Sequence, residues 1–458
     1  MTAPSTAPAP IRKGRWIERW DPEDETFWQA GGERTARRNL LFSVLSEHIG
    51  FSVWTLWSVL VLFMGPEYGL TPADKFLLTS VVTLVGAVAR VPYTFAVAVF
   101  GGRNWTVVSA GLLLVPTVAA FAVMEPGTSF STFLWTGLLA GIGGGNFASS
   151  MTNINAFFPL RQKGWALGLN AGGGNIGVPV IQLAALAVIG AGGGPRVLLG
   201  IYIPLIVVAA GLAARHMDNL ATLRNDTGAA RDAAKDAHTW IMAFLYVGTF
   251  GSFIGYSFAF GQVLTNQFGR TPLQAAYLTF IGPLLGSLVR PVGGRLADRY
   301  GGARITLWTF VAMAAATAVL AGLRNSLALF VAVFVVLFVL SGLGNGSTYK
   351  MIPGIFRAKA LALGLTGEEA ASYGRRLSGA SMGLIGAVGA LGGVGINLAF
   401  RQSFLSHGSG TGAFAAFLAF YGVAVAVTWA VYLRRPAGRD RTATVAAEPA
   451  PQPGYAEV

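Results

Sequence analysis

Cysteine is absent from the 458-residue chain and charge is scarce, with only 12% of residues Asp, Glu, Lys or Arg. The first absence excludes disulfides, thiolate metal sites and cysteine nucleophiles together. The second excludes a soluble globule, because ordinary soluble domains carry about 25% charged residues. With 53% hydrophobic residues and a mean hydropathy of +0.57, the missing charges are missing from segments that lie in lipid. Acidic side chains are the scarcer sign, 20 against 33 basic, for a net charge of +13. In a membrane protein the placement of such an excess matters more than its sum.

What is present is a series of apolar runs of about 20 residues, each long enough to cross a bilayer. Twelve are predicted, at 39–64, 76–100, 105–124, 130–158, 164–190, 197–214, 240–267, 273–294, 305–323, 326–356, 378–400 and 412–433. They do not alternate, so they read as helices and the fold class is an all-α membrane protein. With the N-terminus inside, 25 of the 33 basic residues fall in inner segments, five in outer loops and three, Arg90, Arg290 and Lys350, within spans. The positive-inside rule then places both termini in the cytoplasm and leaves no case for nucleic acid.

The organisation that follows is a cytoplasmic N-terminal segment 1–38, a six-helix half 39–214, a charged linker 215–239, a second six-helix half 240–433 and a polar tail 434–458. Residues 1–10 are Ala/Pro/Ser/Thr-rich and read as disordered, and no removable signal peptide precedes the first span. Trp16, Trp20 and Trp28 stand among charges, which suits a segment lying at the inner membrane interface.

The halves repeat at an offset of 200 residues. Arg90 and Arg290 each lie 11 residues before a glycine pair, in FGGRNW and YGGARI, and GIGGGNFASSM (141–151) superimposes on SGLGNGSTYKM (341–351). Two six-helix halves of this kind suit a transporter with its site between them near the midplane. Helix rise puts each arginine roughly 16 Å above its glycine pair, about half of a 30 Å hydrocarbon core. The hairpin GGRLADRYGGAR (293–304) has the form of an inner-gate motif in which Asp298 pairs with a neighbouring helix, or else a charged hairpin that only satisfies topology.

A guanidinium at the bilayer centre costs at least about 2.5–3.5 kcal/mol, and each arginine could instead snorkel or pair with a buried acid. Only Glu47 of the acidic residues lies within a predicted span. It offsets one charge at most, so a bound anion is the economical partner for the other. The flat five-donor fork of arginine suits a planar oxyanion. Glycine-rich stretches at 141–151, 166–178 and 378–397 let helices approach and slide, with Gly172, Gly174, Gly389 and Gly392 as candidate gating positions. Plain tight packing accounts for part of that pattern. The amides Asn146, Asn170 and Asn175 must hydrogen-bond in lipid, and could orient an anion or the arginines.

GNFASSMTNINAFFP (145–159), LGLNAGGGNIGV (167–178), RVPYTF (90–95), LYVGTFGSFIGYS (245–257) and WDPEDETFWQ (20–29) resemble the nitrate/nitrite porters of the major facilitator superfamily, over about residues 16–435. The resemblance implies a twelve-helix fold in two pseudo-symmetric halves and transport of nitrate and nitrite without a cofactor or metal. It implies that Arg90 and Arg290 clamp the anion, that Phe147 and Phe250 sandwich it, and that Tyr246 and Asn175 contact it. Nitrate assimilation or respiration, a bacterial inner membrane and a monomeric state are expected with it.

Glu47 and His48, with Lys350, depart from the exchanger pattern. Glu47 beside His48 could accept a proton and couple it to nitrate; alternatively Glu47 pairs with an arginine or with Lys350, or Lys350 snorkels. Nitrate/nitrite antiport by alternating access is the first expectation and nitrate/proton symport through Glu47 the alternative. A non-transporting anion sensor would need a signalling domain, for which the loops are too short. A membrane enzyme would need more than the single carboxylate and histidine that the spans contain.

Overall fold

The computed structural model describes residues 14–322 and 326–434. The expectations for 1–10 and for the tail after Arg434 fall outside them. Among the described residues eleven helices are long and apolar enough to cross a membrane. They are α1 (Glu25–Phe63), α2 (Pro72–Phe100), α3 (Gly102–Val123), α5 (Arg161–Gly190), α6 (Pro195–His216), α8 (Ala237–Phe268), α9 (Pro272–Tyr300), α10 (Gly302–Gly322), α11 (Leu327–Ala362), α12 (Glu369–His407) and α13 (Thr411–Leu433). The predicted fourth span is α4, whose α-helical parts Phe130–Ala140 and Asn146–Phe157 are joined by a tight 3-10 turn over Gly141–Gly145. A Cβ added at Gly144 would come within 2.6 Å of the Gly86 backbone, so close approach to α2 explains the glycines. With α4 the count of spans is twelve.

The repeat is more extensive than its arginines suggested. Helices α2 and α9 both start from a capping threonine, Thr71 and Thr271, with reciprocal bonds to Asp74 and Gln274 and a proline in the first turn. Both end on a glycine at positive φ, Gly101 at 88° and Gly301 at 90°, where an L side chain would be strained. These caps fix where each helix starts and stops, and therefore the depth at which Arg90 and Arg290 sit.

The N-terminal segment differs from the expectation of an interfacial strip. Trp16–Ile17 (β1) pairs in parallel with Asn219–Leu220 (β2), and Trp20 and Trp28 are buried against Phe157 and Phe158. Its aromatic surface is covered by protein rather than lipid, because a carboxylate at the end of α6 ties it down. Asp218, fully buried, receives Arg15 at 2.8 Å, Arg38 at 2.5 Å and the Asn39 amide at 2.8 Å. The linker then forms α7 (Thr227–Lys235), capped by Asp226 and joined to the second half by Arg376 with Asp226 and Asp232, and by Lys359 with Asp236.

Candidate functional site

Arg90 on α2 is completely buried and Arg290 on α9 is 8% exposed. Arg90 donates Nη1–H to the Gly386 carbonyl of α12 at 2.9 Å and Nε–H to the Gly144 carbonyl of α4 at 3.3 Å. Arg290 donates Nη2–H to the Tyr246 hydroxyl at 3.2 Å. No carboxylate forms an ion pair with either among the described residues, and Arg90 Nη2 and Arg290 Nη1 are buried without a partner. A buried guanidinium nitrogen left unpaired is costly, so the fork is unfinished on each side.

Aromatic faces surround the first fork. Arg90 Cζ lies 4.7 Å from the ring centres of both Phe147 and Phe250 and 5.4 Å from Trp54, within reach of cation–π attraction. Phe147 and Phe250 are 6.1 Å apart and stacked, and Phe250 stacks on Tyr246 at 5.2 Å. A planar ion held face to face between two rings needs about 7 Å between them, so these rings must part by about 1 Å to take one. The closed end of a cavity of about 350 Å³ is formed by Arg90, Phe147 and Tyr349, and it runs to Arg224, Asp226 and Arg376 on the linker face.

The opposite face is sealed. Thr79 of α2 donates to Asn397 of α12 at 3.0 Å and accepts from Gln262 of α8 at 3.3 Å. Gln182 of α5 donates to the Ser257 carbonyl of α8 at 3.2 Å. Phe76 stacks on Phe400 and Phe404. The protein is therefore open toward the linker and closed away from it, with the arginines between.

Five of the six expected binding residues, Arg90, Arg290, Phe147, Tyr246 and Phe250, form one connected cluster. Asn175 on α5 is buried with both amide atoms unpartnered and no bond to the cluster. Of the gating glycines, a Cβ at Gly389 would meet Tyr246 Cδ1 at 2.4 Å, one at Gly392 the Val247 carbonyl at 2.6 Å, and one at Gly174 the Glu47 carboxylate at 2.2 Å. At Gly172 a Cβ meets nothing, so no close approach needs that glycine. Asp298 pairs with Lys350 at 3.1 Å, both about half exposed; the pair joins α9 to α11 within the second half, and Lys350 is paired with this acid and not with Glu47. Asn170 bonds Glu47 and Ser150 and so orients the acid, not an arginine. His48 turns its Nδ1 to the Gly173 carbonyl at 3.3 Å.

Tyr349 and Trp54 are site residues that the sequence reading missed. Tyr349 stands 5.4 Å from Tyr246 and 6.0 Å from Arg290 Cζ. It lies in the repeated GNGSTYKM stretch, where an aromatic at the position equivalent to Ser149 of the first half was the available signal.

Residues 45–396 match the family model described as Major Facilitator Superfamily. The chain is 39% identical to the "Nitrate/nitrite transporter NarU" of Escherichia coli (strain K12), over 93% of this chain and 98% of that protein. The chain belongs to the nitrate/nitrite porter family of the major facilitator superfamily. It is 34% identical to the "Probable nitrate/nitrite antiporter NarK2" of Thermus thermophilus, over 79% of this chain and 88% of that one. Among solved structures, a D-xylose-proton symporter superimposes with a TM-score of 0.63 at 14% identity, covering 86% of this chain and 97% of that one; at that identity the likeness concerns the fold. This porter is accordingly a multi-pass membrane transporter and not an enzyme.

Proposed function

We propose that the chain transports nitrate and nitrite by alternating access, as a monomeric nitrate/nitrite antiporter of a bacterial inner membrane, with the linker face and both chain ends in the cytoplasm. The observation that carries the reading is the pair of buried, partnerless guanidinium nitrogens, Arg90 Nη2 and Arg290 Nη1, one from each half. The basic bias of the linker face supports the orientation, and the substrates for which the relatives are named support nitrate and nitrite as the anions.

In this reading Arg90 and Arg290 grip the anion edge-on, Phe147 and Phe250 cover its faces, and Tyr246 and Asn175 complete its polar shell. Residues 39–214 and 240–433 are the rocking units. Gly174, Gly389 and Gly392 supply tight sliding contacts; Gly172 belongs to the same glycine segment, and Asp298 braces the second half. An unoccupied clamp faces two like charges across the closing gap, in a low-dielectric site where repulsion is strong. A bound anion screens them and lets the halves close, so movement in one direction requires an anion in the other.

Counterflow tests it. Labelled nitrate should enter proteoliposomes at least about tenfold faster against internal nitrite than into anion-free vesicles, and Arg90→Lys, which keeps charge but loses the fork, should abolish most of that uptake. Equal uptake into anion-free vesicles would remove antiport. A second reading, nitrate/proton symport through Glu47 with His48 beside it, is favoured by one observation: Glu47 is buried without an ion pair among the described residues.

A further inference from the structure

The free donors of the clamp and the oxygens of its two anions do not match in number. Arg90 has Nη1 and Nε on the Gly386 and Gly144 carbonyls, and Arg290 has Nη2 on the Tyr246 hydroxyl. Each half is left with one unpartnered nitrogen, Arg90 Nη2 and Arg290 Nη1. Nitrite has two oxygens and nitrate has three in one plane. One nitrogen from each side satisfies the oxygens of nitrite and leaves nitrate with a corner over. A donor for that corner cannot come as a symmetric pair, since a trigonal ion gripped by two related halves has a single oxygen left.

Tyr349 of α11 is a donor of that kind. Its ring stands 5.4 Å from Tyr246 and 6.0 Å from Arg290 Cζ, and it forms the closed end of the cavity together with Arg90 and Phe147. The charges of Arg290 and Arg90 both act on its hydroxyl. That hydroxyl makes no hydrogen bond among the described residues and is not one of the polar atoms sealed from the cavity, so it is free to donate. Its neighbours are engaged. Trp54 donates its indole N–H to the Val82 carbonyl at 3.1 Å, and the Tyr246 oxygen holds Arg290. Ser149, at the equivalent position of the first half, turns its hydroxyl back to the Asn146 carbonyl of its own helix at 3.1 Å. The repeat therefore supplies this phenol once.

We infer that Tyr349 distinguishes the two cargoes: its hydroxyl donates to the third oxygen of nitrate, the one that neither arginine reaches, and meets no oxygen in nitrite. The inference rests on the anion reading above and deepens it. Nitrite offers only a nitrogen lone pair at that corner, one bond length farther from the phenol. A site built to hydrogen-bond a group penalises the analogue that lacks it, because the buried donor is then left unpaired. Ring faces and guanidinium charge hold both ions without counting oxygens, whereas the phenol favours nitrate alone. At the inner mouth nitrate must leave and nitrite take its place, so the ratio of their affinities sets the concentration ratio at which exchange runs.

Calorimetric titration of nitrate, and separately of nitrite, into the purified full-length protein measures that ratio. Tyr349→Phe keeps the ring and removes one oxygen that no described residue bonds, so an unchanged melting temperature is expected. The nitrate-to-nitrite affinity ratio should fall roughly tenfold in this variant, through loss of one hydrogen bond to a charged acceptor. Tyr246→Phe, which loosens Arg290, should weaken both ions alike and leave the ratio where it was. An unchanged ratio in Tyr349→Phe, whether both affinities fall together or neither does, would overturn the inference and leave the anion site standing. A wild type that binds neither ion would remove the anion reading, and this inference with it.

Discussion

Tyr246 connects several functions through one ring. Its hydroxyl holds Arg290, its face stacks on Phe250, and its edge meets α12 where Gly389 has no side chain. The ring is completely buried, so it cannot yield to a new methyl group. Overpacking of this kind typically costs about 1–3 kcal/mol. Gly389→Ala should therefore lower the melting temperature by several degrees and weaken nitrate binding by roughly tenfold, since the ring that moves is the one that aims Arg290. Thermal unfolding and titration on the same preparation check both; unchanged affinity would separate Tyr246 from the anion site. Arg90 was recognisable from the sequence because a cation at mid-membrane is expensive. That its Nη1 and Nε are held by the Gly386 and Gly144 carbonyls was not, because backbone acceptors leave no trace in residue identity.

Among the elements, the linker helix α7 is the one whose role changes most between sequence and structure. By composition it is a charged connector; in three dimensions it stands at the mouth of the cavity. Asn225 donates to the Phe95 carbonyl of α2 at 2.9 Å, while Asp226 and Asp232 hold Arg376 of α12. The Arg376 hydrogen bond, aided by the Ala229 backbone N–H, holds the Asp226 carboxyl below its ordinary range. A carboxyl depressed in the folded state adds stability above its unfolded value and loses it only as the pH falls through the folded one. This contact is consequently intact at neutral pH and insensitive to changes there. Arg376→Gln is what releases it: cleavage of residues 221–236 by an added protease should rise several-fold, with an unchanged profile between pH 6 and 8. A pH-dependent cleavage of the wild type in that window would contradict the assignment. The N-terminal segment shows the same kind of gap, since its three tryptophans suit an interface by composition alone and only the folded contacts of Trp20 with Phe157 and Trp28 with Phe158 show those two packed on protein.

At the scale of the whole molecule, polar bonds across the halves on the closed far face are joined by apolar contacts, among them the Phe76 stack and Trp54 against Phe258. Each such hydrogen bond contributes about 1 kcal/mol net. Removing one should shift the population of the outward-open form about fivefold. The absence of cysteine gives a clean background for measuring this. A single Thr83→Cys, at a position now buried between α2 and α12, should react slowly with an impermeant maleimide from the far face. In combination with Asn397→Ala its labelling should quicken about fivefold. No change would mean that the contacts left in place, the Gln182 and Gln262 bonds and the Phe76 stack, keep that face shut without Asn397.

Composition and charge placement were enough to establish the membrane class, the number of spans, the 200-residue repeat and the two central arginines. Lipid enforces these through the residues themselves, by length, hydrophobicity and the cost of a buried charge. Motif resemblance added Phe147, Phe250 and Tyr246, which the structure brings together around Arg90 and Arg290. The remainder depended on which helices meet. Only the packed fold could set Lys350 against Asp298, leave Gly172 without a close neighbour, bring Tyr349 to the cavity, and set Asn170 on Glu47. Those are contacts between segments far apart in the chain, and helix periodicity specifies which face is buried without specifying what it is buried against.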